Sequence, residues 1–307
     1  MSSKTRNRHF LSLSDWSREE LQSILRLAGD LKADPQKYAH ALEGKTLAMI
    51  FKKSSTRTRV SFEVGMFQLG GHALFMSPDA TQVGRGEPLS DTARVLSRYV
   101  DGIMIRTYDQ AEVSTLADFS RVPVINGLSD LLHPCQVLSD IFTVLEYFEL
   151  QPDDLLNFPV AYIGDGNNMA NSWISAAKIF GFNLQVACPV GFEPAEGLLQ
   201  AAGGRVKIVR EPEIAAAQAR VLNTDVWASM GQEDEAAERK RLFQGYQINH
   251  ELLSVAAENP LVLHCLPAHR GEEVTAEIFE QFADAIFTQA ENRLHVQKAL
   301  LITLLAN

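Results

Sequence analysis

Arginine bunches with small hydroxyl residues at one place in this 307-residue chain, the run Ser54-Ser55-Thr56-Arg57-Thr58-Arg59. A helix opening there would offer free backbone N–H groups and a partial positive charge, which is how proteins hold phosphate. The hydroxyls of Ser55, Thr56 and Thr58 add donors, and Arg57 can grip a phosphate with two parallel hydrogen bonds. Two arginines in a first helical turn oppose the helix dipole, so they cost stability unless an anion is present. The competing reading is a serine cap with solvated basic side chains. Two further groups follow short apolar runs. Arg106-Thr107 ends Gly102-Ile103-Met104-Ile105, where a charged residue is either a rim salt bridge or a ligand group. His133-Pro134-Cys135-Gln136 opens a helix, with Pro134 suited to its first turn. His133 is either a structural histidine or a group facing the same crevice as Arg57.

The second half of the chain carries a different set. Gly164-Asp165-Gly166-Asn167-Asn168 resembles a dinucleotide turn but lacks the third glycine of GxGxxG, which disfavours a nicotinamide enzyme. Its asparagines either cap a helix or offer amide donors to a carboxylate. Asp225, placed within the apolar run Thr224–Trp227, needs a partner because a lone buried carboxylate is costly. That partner is either a structural arginine or the α-ammonium of an amino acid. His264 and Cys265 are adjacent on a strand, so they point to opposite faces and make a poor nucleophilic pair. Arg293, near the start of a C-terminal helix at about Glu291–Leu305, is either solvated or a ligand group.

Elements must place these residues. Apolar residues make up 46% and charged residues 21%, as expected of a globular protein long enough for two domains. Short apolar runs alternate with amphipathic ones, the pattern of parallel α/β structure. Strands are predicted at Thr46–Phe51, Ala73–Met76, Gly102–Ile105, Val122–Ile125, Val160–Ile163, Leu184–Cys188, Val206–Val209, Thr224–Trp227, Leu261–His264 and Ala285–Phe287. Helices are predicted from about Thr56 to the Gly70-Gly71 pair and from Pro134 to about Phe148. The fold class is α/β, with two doubly wound domains, each a mostly parallel sheet flanked by helices. Residues 1–149 form one domain, with the helix at 290–307 packing back on it, and residues 150–289 form the other.

In open parallel sheets ligands bind beyond the carboxyl ends of the strands, and the residues singled out above fall there repeatedly. The net charge of −10 disfavours nucleic acid and means that an anionic ligand needs a local arginine cluster. No apolar run approaches the ~20 residues that span a bilayer. The N-terminus does not read as a secretory signal. Cys135, Cys188 and Cys265 are widely spaced, fit no metal pattern, and read as reduced thiols of a cytoplasmic protein.

Ser55-Thr56-Arg57-Thr58-Arg59 resembles the carbamoyl phosphate signature of the aspartate/ornithine carbamoyltransferase family. His133-Pro134-Cys135-Gln136 is similar to that family's HPxQ motif. Asp225 through Gly231 and His264-Cys265-Leu266-Pro267 resemble its ornithine-type DxxxSMG and HCLP motifs. The resemblance covers essentially the whole chain. It implies transfer of a carbamoyl group from carbamoyl phosphate to the δ-amine of L-ornithine, giving citrulline and phosphate. Ser55, Thr56, Arg57, Thr58, Arg106, His133, Pro134, Cys135, Gln136, Cys265, Leu266 and Arg293 would meet the donor. Arg106, His133 and Thr58 would stabilise its carbonyl oxygen. Asn167, Asp225, Ser229 and Met230 would meet ornithine. Gln82 would reach the phosphate of a neighbouring subunit in a homotrimer. Neither metal nor organic cofactor is implied. Aspartate would be repelled by Asp225, an acylated ornithine would leave Asp225 unpaired, and putrescine lacks a carboxylate for Asn167. Transfer to one of the last two amines is the alternative.

Overall fold

The computed structural model describes residues 8–77, 86–228 and 233–306. The chain divides into two compact units. One runs to Leu138 and resumes at Arg293, and the other is Ser139–Asn292. The chain passes between them within two helices, Pro134–Tyr147 and Ala283–Leu305.

In the first unit, α1 (Arg18–Ala33) precedes β1 (Thr46–Phe51), α2 (Thr56–Gln68), β2 (His72–Met76), α3 (Leu89–Leu96), β3 (Gly102–Arg106), α4 (Gln110–Phe119) and β4 (Val124–Leu128). The four strands are parallel in the order β2-β1-β3-β4. Almost every residue of β1, β3 and β4 is buried, which is why these strands read as continuous apolar runs rather than alternating ones. Ala48, Ile50, Ile103 and Ile105 pack with Val113 and Leu116 of α4 into one core. The strand order reverses between β1 and β3, so their carboxyl ends flank a topological switch point.

Helix α2 starts there because Ser55 caps it, its Oγ accepting from Thr58 N at 3.2 Å. Its buried residues, Thr58, Phe62, Gly65 and Met66, recur at helical spacing on one face. The chain leaves α2 through Gly70 at φ +82°. Strand β4 lies two residues later than the predicted Val122–Ile125. Its Asn126-Gly127 pair forms an irregularity inside the strand. Ile105 pairs with Asn126 but Arg106 with Leu128, so Gly127 is skipped. A Cβ at Gly127 would lie 2.5 Å from Met104 Sδ and 3.1 Å from Ile105 O, so glycine suits the close approach at the end of β3.

The helix Pro134–Tyr147 is α5. The second unit then holds β5 (Pro159–Ile163), α6 (Asn168–Phe180), β6 (Asn183–Ala187), α7 (Glu196–Ala202), β7 (Val206–Val209), α8 (Pro212–Ala216), β8 (Val221–Thr224), α9 (Ala236–Leu242), α10 (His250–Val255), β9 (Leu261–His264) and α11 (Ala276–Gln281). Helix α12 is Ala283–Leu305. The five strands are parallel in the order β7-β6-β5-β8-β9, so the switch point falls between β5 and β8. Ala161, Ile163, Leu222 and Val262 form the core with Ile278, Phe279, Phe282 and Ile286.

Two predictions fail here. The strand predicted at Thr224–Trp227 is β8, which ends at Thr224, so Asp225 stands just beyond a strand rather than inside one. A polar residue hid the true strand: Asn223 is fully buried, and in its hydrogen-bonded orientation its carbonyl faces Trp173 Nε1 at 3.2 Å. The strand predicted at Ala285–Phe287 is the first turn of α12. Three apolar residues cannot separate strand from helix. The buried spacing Ile278, Phe279, Phe282, Ile286 is helical.

Candidate active site

In the first unit, the hydroxyl of Thr58 is a meeting point. Thr58 Oγ1 accepts from Ser55 Oγ at 3.0 Å, from Arg293 Nη2 at 2.6 Å and from Arg106 Nη1 at 3.5 Å. Arg293 Nη1 also donates to Gln136 Oε1 at 3.2 Å. Both guanidinium groups are buried, at 7% and 4% exposure, and both donate to neutral oxygens. Arg293 is not near a helix start as predicted. It stands ten residues into α12, because that helix begins at Ala283 rather than Glu291. Arg57 projects into solvent in the first turn of α2, and among the described residues its guanidinium has no partner. Thr56 is exposed and Ser55 half-buried.

His133 is buried just before α5, its carbonyl accepting from Gln136 N and Val137 N. Burial first, then the charges of Arg293, Arg106, Arg57 and Lys53, hold its pKa well below the usual imidazole value. It is therefore a neutral hydrogen-bonding group among four cations. Pro134 occupies the first turn of α5 as expected. Cys135 is no nucleophile: burial pushes its thiol up to about 12, against a smaller lowering by Arg293. Sequence reasoning missed Lys53, which is 4% exposed, pairs with Asp130 Oδ1 at 2.9 Å and lies 5.1 Å over the Tyr108 ring. Its place just past the end of β1 was the available signal.

In the second unit, Asn167 and Asp225 meet across the β5/β8 switch point. Asn167 has both roles that its residue type allowed. Its Oδ1 caps α6, accepting from Met169 N at 2.9 Å and from Tyr162 Oη at 3.1 Å. Its Nδ2 donates to Asp225 Oδ2 at 2.9 Å. The turn before it is tight. A Cβ at Gly166 would lie 2.3 Å from Pro194 N and 2.4 Å from Glu193 C. Asp225 is 7% exposed and, among the described residues, has no cation beside it. Its Oδ1 accepts from Cys265 Sγ at 3.0 Å.

Unpredicted residues brace this pair. Arg239 Nη1 donates to Asp165 Oδ2 at 2.9 Å and to Trp227 O at 3.0 Å, tying together the chain on either side of Asn167 and Asp225. Burial, more than Arg239 can offset, raises Asp165 to about 6. His264 and Cys265 make different hydrogen bonds, the imidazole to Glu273 and the thiol to Asp225, but Cys265 lies past the end of β9 and its thiol is within 4.8 Å of a His264 ring nitrogen, so the two side chains do not point to opposite faces. Leu266 follows at φ +59°. Gln82, Ser229 and Met230, three of the predicted ligand residues, lie outside the described residues.

An arginine-rich anion cradle at one switch point and, at another, a carboxylate with no cation beside it among the described residues suit an enzyme that joins an anionic donor to a cationic acceptor. Residues 8–146 match the family of the aspartate/ornithine carbamoyltransferase carbamoyl-P binding domain. Residues 157–304 match that of the aspartate/ornithine carbamoyltransferase Asp/Orn binding domain. The chain belongs to the aspartate/ornithine carbamoyltransferase family. It is 56% identical over 302 residues to an ornithine carbamoyltransferase of Syntrophotalea carbinolica, covering 97% of this chain and 99% of that one. It is 53% identical over 296 residues to the anabolic ornithine carbamoyltransferase of Pseudomonas aeruginosa, covering 96% of each. The solved ornithine carbamoyltransferase of Pyrococcus furiosus aligns with a TM-score of 0.91 at 47% identity over 97% of each chain.

Proposed function

We propose that this chain transfers the carbamoyl group of carbamoyl phosphate to the δ-amine of L-ornithine, giving L-citrulline and phosphate. The observation that carries the reading is the convergence of Ser55, Arg106 and Arg293 on the Thr58 hydroxyl, beside the exposed Arg57 and the neutral His133. These groups supply what carbamoyl phosphate needs. Ser55, Thr56, Arg57 and Thr58 hold the phosphate at the helix N-terminus, and Arg106 reaches both phosphate and carbonyl. When the amine attacks, the carbonyl oxygen gains negative charge. Arg106, Thr58 and a neutral His133 N–H donate to it. Gln136 and Arg293, already hydrogen-bonded together, hold the carbamoyl end, with Pro134 and Cys135 shaping the wall beside them.

The acceptor is assigned to the second unit. The α-ammonium pairs with Asp225, whose neighbours Asn167 and Cys265 bring no competing positive charge. The α-carboxylate takes the remaining N–H of Asn167, with Ser229 and Met230 alongside. Cys265 and the Leu266 carbonyl contact the reacting groups. A primary amine of pKa ~10.4 in water must reach the reaction neutral. The new C–N bond forms as the C–O bond to phosphate breaks, and the departing phosphate accepts the amine proton. No side-chain base is assigned. By family resemblance we also infer a cytoplasmic homotrimer, with Gln82 contributed to a neighbour's phosphate, serving arginine biosynthesis. No described helix is long and apolar enough to cross a membrane.

The test is a citrulline assay with carbamoyl phosphate and ornithine, with aspartate, putrescine and N-acetylornithine in parallel. Turnover of ornithine alone is expected. Turnover of another amine in its place would overturn the assignment of Asn167 and Asp225, and silence on all four would overturn the reaction.

A further inference from the structure

We propose that Glu273 and His264 are positioning residues that hold the Cys265-Leu266 turn in place for the acceptor site. The inference rests on the reading of Asp225 and Cys265 as part of that site. Both residues are buried, at 0% and 1% exposure, and a ring nitrogen of His264 lies within 4.8 Å of an Asp225 carboxylate oxygen and of the Cys265 thiol. Leu266 N donates to His264 Nδ1 at 2.9 Å, so that nitrogen carries no proton. The ring proton is therefore on Nε2, which donates to Glu273 Oε1 at 2.9 Å. The same carboxylate oxygen accepts from His269 N at 2.6 Å, beyond the turn. His264 N donates to Gln289 Oε1 at 3.0 Å, which fixes the strand end from which the imidazole hangs.

The turn needs such support. Leu266 is at φ +59°, a left-handed conformation that an L side chain resists by ~1–2 kcal/mol. Its N–H is held by a ring nitrogen two residues back. The two alternatives for that ring differ sharply. With the proton on Nδ1, the imidazole would present N–H to N–H and push Leu266 away. Glu273 selects the other tautomer because its carboxylate only accepts. Through this chain the Glu273 carboxylate orients the Leu266 backbone and the thiol that faces Asp225 Oδ1 at 3.0 Å. The logic is that of groups behind metal ligands, whose partners set tautomer and ring orientation.

Four variants separate this role from mere stability. Asn at 264 places an oxygen where Nδ1 was, so H264N keeps the acceptor for Leu266 N–H and loses Glu273. Gln at 264 places a nitrogen near Nε2, so H264Q keeps the partner of Glu273 and releases Leu266. The positioning role predicts an ornithine KM within about threefold of wild type for H264N and at least about tenfold higher for H264Q, roughly the worth of one hydrogen bond. The carbamoyl phosphate KM should move little in either. E273Q, which still accepts from the imidazole, should stay near wild type, and E273L should behave like H264Q. If the pair serves only folding, H264Q, which leaves Glu273 satisfied, will be the better enzyme, and that order overturns the inference. So does a folded E273L with a normal ornithine KM. Should E273L fail to fold, the order of the two His264 variants decides. D225N is the control. If it raises the ornithine KM while H264Q does not, the positioning role falls alone. If D225N leaves that KM unchanged, the acceptor reading fails and takes this inference with it.

Discussion

Arg57 is hard to justify without a ligand. It stands in the first turn of α2, where its charge opposes the helix dipole by ~0.3–1 kcal/mol, and no described side chain pairs with it. Removing it should therefore harm function without harming the fold. Arg57→Gln is expected to lower kcat/KM for carbamoyl phosphate by ~10²–10³, the scale of a lost transition-state donor. Its melting temperature should stay within about 2 °C of wild type. A fall in stability with intact kinetics would show instead that Arg57 is structural. His133 gives a test that depends on pH. Unfolded, it protonates near pH ~6.5. Folded, burial and four neighbouring cations keep it neutral to well below that value. The stability that this neutrality confers is present above ~6.5 and declines as the pH falls below it. The melting temperature should thus drop between pH 7 and 5 by more in wild type than in His133→Gln. Bound phosphate offsets the cations, so it should move the His133 titration upward in an NMR experiment. An unmoved titration would separate His133 from the anion.

At the scale of elements, both candidate half-sites lie at strand ends beside a reversal of strand order, and short backbone devices aim them. Gly166 is one such device. Any side chain there meets the Glu193–Pro194 backbone, which is not the yielding end of a flexible side chain. Gly166→Ala should cost ~2–4 kcal/mol, as overpacking at a rigid contact does, and should raise the ornithine KM through Asn167. A melting curve together with a KM for each substrate checks both parts. Unchanged stability would mean that the turn relaxes freely. How legible these elements were in sequence follows from their chemistry. β1, β3, β5 and β9 were readable because both faces are buried and almost every residue is apolar. β8 was misplaced because it buries the polar Asn223 and is followed by the apolar run Val226-Trp227-Ala228. β4 was shifted because its second half, Asn126-Gly127, is not apolar. The start of α12 was lost because Ala285–Phe287 is too short to show a period. Arg57, Arg106, His133 and Asp225 were legible as residue types in unusual company. Arg239 and Glu273 were not, since an arginine and a glutamate look solvated until the fold buries them, and Lys53 was marked only by its place just past the end of β1.

For the molecule as a whole, the charge works against the site. The chain carries −10 overall, yet its anion cradle gathers Lys53, Arg57, Arg106 and Arg293 around one neutral histidine. A dianionic donor meets repulsion at long range and attraction close by, and salt weighs on the two differently. At ~0.01 M ionic strength the screening length is ~30 Å and the whole negative field reaches the incoming ligand. At ~0.1 M it is ~10 Å, so distant carboxylates fade while the guanidinium groups still act over a few ångströms. Affinity for carbamoyl phosphate should therefore strengthen, or at least hold, as sodium chloride rises from ~0.01 to ~0.1 M. It should weaken only at higher salt, where the cradle itself is screened and chloride competes for it. A protein that steers its anion with a positive global field does the opposite, weakening from the lowest salt upward. Equilibrium binding of inorganic phosphate, followed by the rise in melting temperature that it causes, measures the same balance without turnover. A monotonic loss of binding from ~0.01 M would mean that the local cluster dominates at every distance and that the net charge of −10 is distributed away from the ligand's approach.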